Sequence, residues 1–165
     1  MIQPISYPAV LYLAVNMREA DAREIYNTLD HEDPAKLARE ICLATALGMA
    51  GVSFQSGKPV GLVGVSPIRS GVWSVWSFGT GEWGRGVIDM TRFGYRQLRP
   101  FLLRRGAHRL QCESHIEHEE AHRWLALCGA QREGVLRGYG RDGSDFIQFS
   151  WTRNDANVFF KAQAG

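Results

Sequence analysis

The spacing of apolar residues changes period along this chain, and each change marks a different kind of element. Ala9–Val15, AVLYLAV, is a compact apolar run between Pro8 and Asn16, and its aromatic and β-branched content predicts a buried first strand. Asn16 then stands where an N-cap would open a helix over MREADAREIYNTL. Asp33 followed by Pro34 predicts the start of a second helix, in which Leu37, Ile41, Ala44 and Leu47 recur as one stripe. From Gly51 to Phe78 the period shortens. VSFQSG, KPVGLVGVSP and GVWSVWSF are short runs rich in Val, Phe and Trp, parted by turn residues, and they predict an antiparallel meander.

A long helix is expected from Val87 to Arg105, bent or broken near Gln97–Arg99 because Pro100 removes an intrahelical donor. His108–Ser114 alternates as a half-buried strand. A short helix follows, with Ala121, Trp124, Leu125 and Cys128 at helical spacing, Glu117, Glu119 and Glu120 at its start and Gly129 at its end. Gln131–Tyr139 and Phe146–Trp151 then read as a hairpin joined through Asp142 and Gly143. The expected organisation is one α+β domain over residues 1–151 and a C-terminal tail over 152–165.

Composition adds bounds. A chain of 165 residues, 45% hydrophobic, with a formal charge of +2, suffices for one self-standing core and gives no general argument for nucleic acid or membrane as partner. Arginines crowd between Arg85 and Arg109, a pattern expected of a solvated helix face. Cys42, Cys112 and Cys128 lack paired spacing and predict reduced, buried thiols in a protein made in a reducing cytoplasm.

The order of strand, two helices, meander, helix, strand, helix and hairpin resembles the Gcn5-related N-acetyltransferase (GNAT) superfamily. Ala121, the Gly129–Ala130 pair and the Asp142–Gly143 turn fall on positions of the family pattern. The resemblance implies a GNAT-like α+β fold, a mixed and mostly antiparallel sheet with helices on both faces. It also implies a cofactor loop. Gly81–Gly86, GEWGRG, supplies two glycines at the family spacing, so Gly84, Arg85, Gly86 and Val87 are the residues whose N–H groups would hold the pyrophosphate of acetyl-CoA at a helix N-terminus. Glu82 or His118 would then manage the amine proton. The chain departs from the pattern at His118, where Asn is usual, at Leu125, where the family often has the Tyr that protonates the leaving thiolate, and at Ala130, where it has Phe.

His118 and His122 also spell H-E-x-x-H, the pattern of zinc peptidases. Leu125 and Cys128 occupy the positions at which the extended version continues with Gly and His, so no metal is expected and a zinc peptidase is the remotest alternative. A narrower resemblance, carried by the Arg-rich helix, the AHRW run and the LRGYGRDG hairpin, is to GNAT-like internal virion proteins of short-tailed bacteriophages. It implies a structural or assembly component of the virion, made in the host cytoplasm, with a relic cleft, no cofactor and no catalytic residue. Other virion proteins would be its partners, docking through Val158, Phe159 and Phe160. The alternative is an active acetyl-CoA-dependent N-acetyltransferase.

Overall fold

The computed structural model describes residues 1–153 and Phe159. In chain order the elements are β1 (Ile2–Pro4), α1 (Tyr7–Val15), α2 (Glu19–Tyr26), α3 (Pro34–Thr45), β2 (Met49–Gln55), β3 (Lys58–Arg69), β4 (Val72–Gly79), α4 (Trp83–Phe93), a π-helical turn (Gly94–Leu98), α5 (Arg99–Arg104), β5 (Arg109–His115), α6 (Glu119–Leu127), β6 (Gln131–Leu136) and β7 (Phe146–Thr152). They build one seven-stranded sheet in the order β1-β2-β3-β4-β5-β7-β6. Every neighbouring pair is antiparallel except β4 and β5.

The meander forms where the turn residues place it. Ser56 and Gly57 both take positive φ, the conformation a tight two-residue hairpin requires, and join Gln55 to Lys58. Asp33 caps α3 through Oδ1, which accepts from the N–H groups of Ala35 and Lys36 at 2.8 and 3.2 Å. Of the expected stripe on α3, Leu37 is buried, Ile41 and Ala44 are half-buried, and Leu47 lies beyond the helix and exposed. Gly129 has φ +84°, and the Ala130 N–H returns to the Leu125 carbonyl, closing α6 as a Schellman turn.

Two expectations are corrected. Ala9–Val15 is helix rather than strand, and the first strand is the short Ile2–Pro4 on the edge of the sheet. A seven-residue apolar run carries no period of its own. Pro8 in the first turn and the packing of Val10, Leu13 and Ala14 against Leu37 and Ala38 decide for helix. Asn16 accordingly ends α1, its Nδ2 donating to the Tyr12 carbonyl, and α2 begins after Arg18. The long helix starts at Trp83 rather than Val87, and the irregularity expected near Gln97–Arg99 takes the form of a π-turn instead of a break. The π-turn over Gly94–Leu98 widens the helix just ahead of the proline, which relieves the ring's clash with the carbonyl of Arg96.

β6 is an exposed edge strand carrying Arg132 and Glu133. A bulge between Arg132 and Gly134 aims Glu133 across β7, so that its two oxygens meet Arg109 Nη1 and Nη2 at 2.8 and 2.5 Å. The Arg109 hydrogen bond holds the Glu133 carboxyl down at about 2, against an ordinary 4.5. Because the folded value is the lower one, this pair's contribution is complete above pH 4.5 and is lost as the pH falls toward 2. Glu133→Gln should therefore flatten that part of the stability profile, measured as melting temperature against pH; an unchanged acid limb would mean that the pair contributes nothing.

Phe159 folds back on the sheet. It is buried, its ring 5.9 Å from Trp151 and 5.8 Å from Tyr95, and its carbonyl accepts from Arg99 Nε. Its ring is thus part of the core rather than an exposed docking element, and Val158 and Phe160 lie outside the described residues. Among the described residues no helix is long and apolar enough to cross a membrane.

Candidate functional site

β4 and β5 run parallel but pair over only three residues, Val72, Trp73 and Ser74 against Arg109, Leu110 and Gln111. Beyond Ser74 they part. The far end of β4 is taken by α2 instead, for Arg18 N–H donates to the Gly79 carbonyl at 2.9 Å and the Gly79 N–H donates to Asp21 Oδ2 at 2.8 Å. A cleft of about 370 Å³ opens between the strands, walled by α2 on one side and by α4 and α6 on the other. Thr80 N–H bonds back to β3, so alternation along the ladder turns Ser77 N–H, like that of Gly79, toward the gap.

A charged cluster lies in this cleft. Asp21 is 2% exposed and pairs with Arg18, whose Nε is 2.8 Å from Oδ2. Burial raises the Asp21 carboxyl above its ordinary value, while the Arg18 guanidinium and the Gly79 N–H pull it back. Arg18 also reaches Glu120 at 2.8 Å and lies 4.6 Å over the Trp83 ring. Glu24, one turn along α2, gathers three groups on Oε2: Ser114 Oγ at 2.5 Å, His115 N–H at 2.7 Å and His118 Nδ1 at 3.1 Å.

His118 is the N-cap residue of α6 and is 4% exposed. With Nδ1 committed to Glu24, its Nε2 is buried without a hydrogen-bond partner, 3.4 Å from Asp21 Oδ1. The imidazole therefore lies in the cleft wall between two carboxylates, Glu24 at Nδ1 and Asp21 beside Nε2. Glu82 stands elsewhere. It is the N-cap residue of α4, half exposed, and is paired with Arg85 at 3.1 Å rather than lining the cleft.

The glycine loop also differs in detail from its expected form. Because α4 begins at Trp83, Val87 lies past the first turn. The N–H groups of Glu82, Trp83 and Arg85 are spent on Thr80 Oγ1, the Thr80 carbonyl and the Glu82 carbonyl. The Gly84 N–H remains, and a side chain at Gly84 would meet nothing within 4 Å, so that face of the helix end is open. Gly86 has another reason to be glycine. A Cβ there would stand 2.7 Å from Val60 and 2.8 Å from Ser53 Oγ, so Gly86 lets α4 lie close on the sheet.

The H-E-x-x-H histidines do not converge. His122 Nε2 meets the His115 carbonyl at 3.0 Å, and His118 is held by Glu24. Among the described residues no group of three His, Cys, Asp or Glu side chains is placed to hold a metal ion. Leu125 is buried in the cleft wall and has no proton to donate. The phenol in that wall is Tyr139, which burial and then Glu113 keep above its ordinary pKa.

No family model and no curated protein matches this sequence. Solved structures do match in fold. A ribosomal-protein-alanine N-acetyltransferase from Brucella melitensis superposes with a TM-score of 0.71 at 14% identity, over 92% of this chain and 99% of its own. The ribosomal-protein-S5-alanine acetyltransferase of Vibrio fischeri gives 0.69 at 17% identity, over 93% of each chain. The fold is that of the GNAT acetyltransferases. A Salmonella typhimurium protein of this fold, yncA, whose structure holds acetyl-CoA as its cofactor, gives 0.71 at 14% identity over 100% of this chain and 96% of its own. These likenesses lend no support to a virion role.

Proposed function

We propose that the protein is an acyl-CoA-dependent N-acetyltransferase, with acetyl-CoA entering the cleft from the α4–α6 side and an amine from the α2 side. The observation that carries this is His118: a buried imidazole in the wall of the cleft between the parted strands, whose Nδ1 is held by Glu24 and whose Nε2 makes no hydrogen bond, 3.4 Å from Asp21. The acetyltransferase neighbours of the same fold and the acetyl-CoA in one of them support the same reading.

The residues present fit the group. Gly84 offers an open face and an N–H at the start of an eleven-residue helix, where the macrodipole favours a phosphate. Ser77 N–H lies on the gap edge, where it can receive a carbonyl oxygen. Bound acetyl-CoA would supply the acyl carbon. His118 Nε2 accepts the proton that the amine loses on attack, and Glu24 stabilises the imidazolium that results. With leucine at 125, proton delivery to the departing thiolate falls to solvent in the open cleft. Glu24 and Glu113 give the α2 side of the cleft an acidic character suited to a cationic amine.

Calorimetric titration with acetyl-CoA tests this. Wild-type protein should bind one equivalent at micromolar affinity. Gly84→Pro removes the open N–H at a first-turn position that tolerates proline, and should weaken binding by about 10- to 100-fold, the loss of one charge-assisted hydrogen bond. Absence of binding to folded wild-type protein would overturn the proposal. Gly86 is unsuited to the same test, because any added ring there collides with Val60 and Ser53.

A further inference from the structure

A second cavity lies directly behind the cleft. It is an apolar pocket of about 60 Å³ under the π-turn, lined by Val63, Val65, Met90, Leu98, Leu110 and Trp151 among others. Val75, Trp124 and Leu125 line both spaces and so form the partition between them. The indole of Trp124 is fixed from two sides. Its Nε1 donates to Thr91 Oγ1 at 2.9 Å, and its ring meets Trp83 edge to face at 5.1 Å. A void in an apolar core costs stability, and this one opens on no polar partner that would hold water. Its volume is about that of two waters in the liquid, which is room for two carbon units.

We propose that Trp124 is the acyl-length gate of this protein, and this rests on the acyltransferase reading above. With the indole seated on Thr91 the cleft ends at the partition and takes an acetyl group. With the indole displaced, cleft and pocket become continuous, and the methylene end of a three- or four-carbon acyl thioester passes between Val75 and Leu125 into the pocket. The chemistry of the occupant follows from the site: an unbranched apolar chain entering from a polar cleft, where a carbonyl stays behind at the strand gap.

The test is calorimetric binding of acetyl-, propionyl-, butyryl- and hexanoyl-CoA to wild type, Trp124→Ala and Thr91→Val, with circular dichroism to establish folding. Wild type should favour acetyl-CoA. In Trp124→Ala the butyryl-to-acetyl affinity ratio should rise at least tenfold, at about fourfold per methylene buried. In Thr91→Val, where the indole keeps its volume, hexanoyl-CoA should gain no more than butyryl-CoA, because the pocket is full. Thr91→Val, which frees the indole without removing volume, should move the ratio the same way by about threefold and decides the matter if the alanine variant does not fold. A ratio unchanged in the folded variants, with acetyl-CoA still bound, would overturn the gate and leave the acyltransferase reading standing. Failure of every thioester to bind wild type would overturn both.

Discussion

His118→Gln should lower acetyl transfer by about 10²- to 10⁴-fold, the range a positioned general base supplies, while acetyl-CoA binding stays within a few-fold of wild type. Glutamine is close to the imidazole in reach and can still hydrogen-bond Glu24, so the substitution removes the basic nitrogen with little change in packing. Its site is tightly enclosed: His118 is 4% exposed, and the Glu24 oxygen it touches also holds Ser114 and the His115 N–H. Single-turnover transfer from radiolabelled acetyl-CoA to a panel of primary amines measures the effect. Equal rates in wild type and variant would remove His118 from the chemistry. Glu24→Gln should give a smaller loss, because it weakens the support of the imidazolium and leaves the base in place.

The largest change in stability is expected at Asp21. Asp21→Ala should cost about 3–5 kcal/mol, the penalty for breaking a buried pair from one side. Truncation strands the Arg18 guanidinium, 14% exposed, and leaves the Gly79 N–H at the end of β4 without an acceptor. Asp21→Asn keeps an acceptor oxygen for both and should cost far less. The pH profile separates wild type from both variants. Burial raises the folded carboxyl above the ordinary 3.8, so the native state holds this proton more tightly than the unfolded chain does. Its contribution is therefore full below pH 3.8 and declines as the pH rises through the folded value. Both variants, which lack the carboxyl, should lack that decline. Urea unfolding of wild type and both variants across pH 4 to 8 measures it, and a loss in Asp21→Ala no greater than in Asp21→Asn would mean that the cluster is not a unit.

Much of the fold was legible because its signals are local. The Asp33–Pro34 cap and the Gly129 closure are each set by a few adjacent residues, and the structure uses them as the sequence predicts. Ala9–Val15 was not legible, since its helix depends on α3 packing against it. The site divides in the same way. His118 and Gly84 could be singled out from motif and spacing. Arg18, Asp21, Glu24 and Tyr139 could not, because in the sequence they are ordinary polar positions of a surface helix and a hairpin. What gives them meaning is the parting of β4 from β5, a contact between residues far apart in the chain. One signal was available in principle: Asp21 falls on the buried face of α2, where an acidic residue needs a partner.

The three-residue ladder between β4 and β5 has one more consequence. It leaves the sheet as two blocks, β1–β4 and β5–β7, that share little backbone bonding and are joined by the apolar core that Val63, Val65 and Trp73 form with Leu110 and Trp151, and by the Arg18–Asp21–Glu24 cluster. A molecule lodged in the gap touches both blocks at once, so it acts as a missing strand. Occupancy should therefore add to stability by bridging the seam, so that the melting temperature rises with ligand concentration.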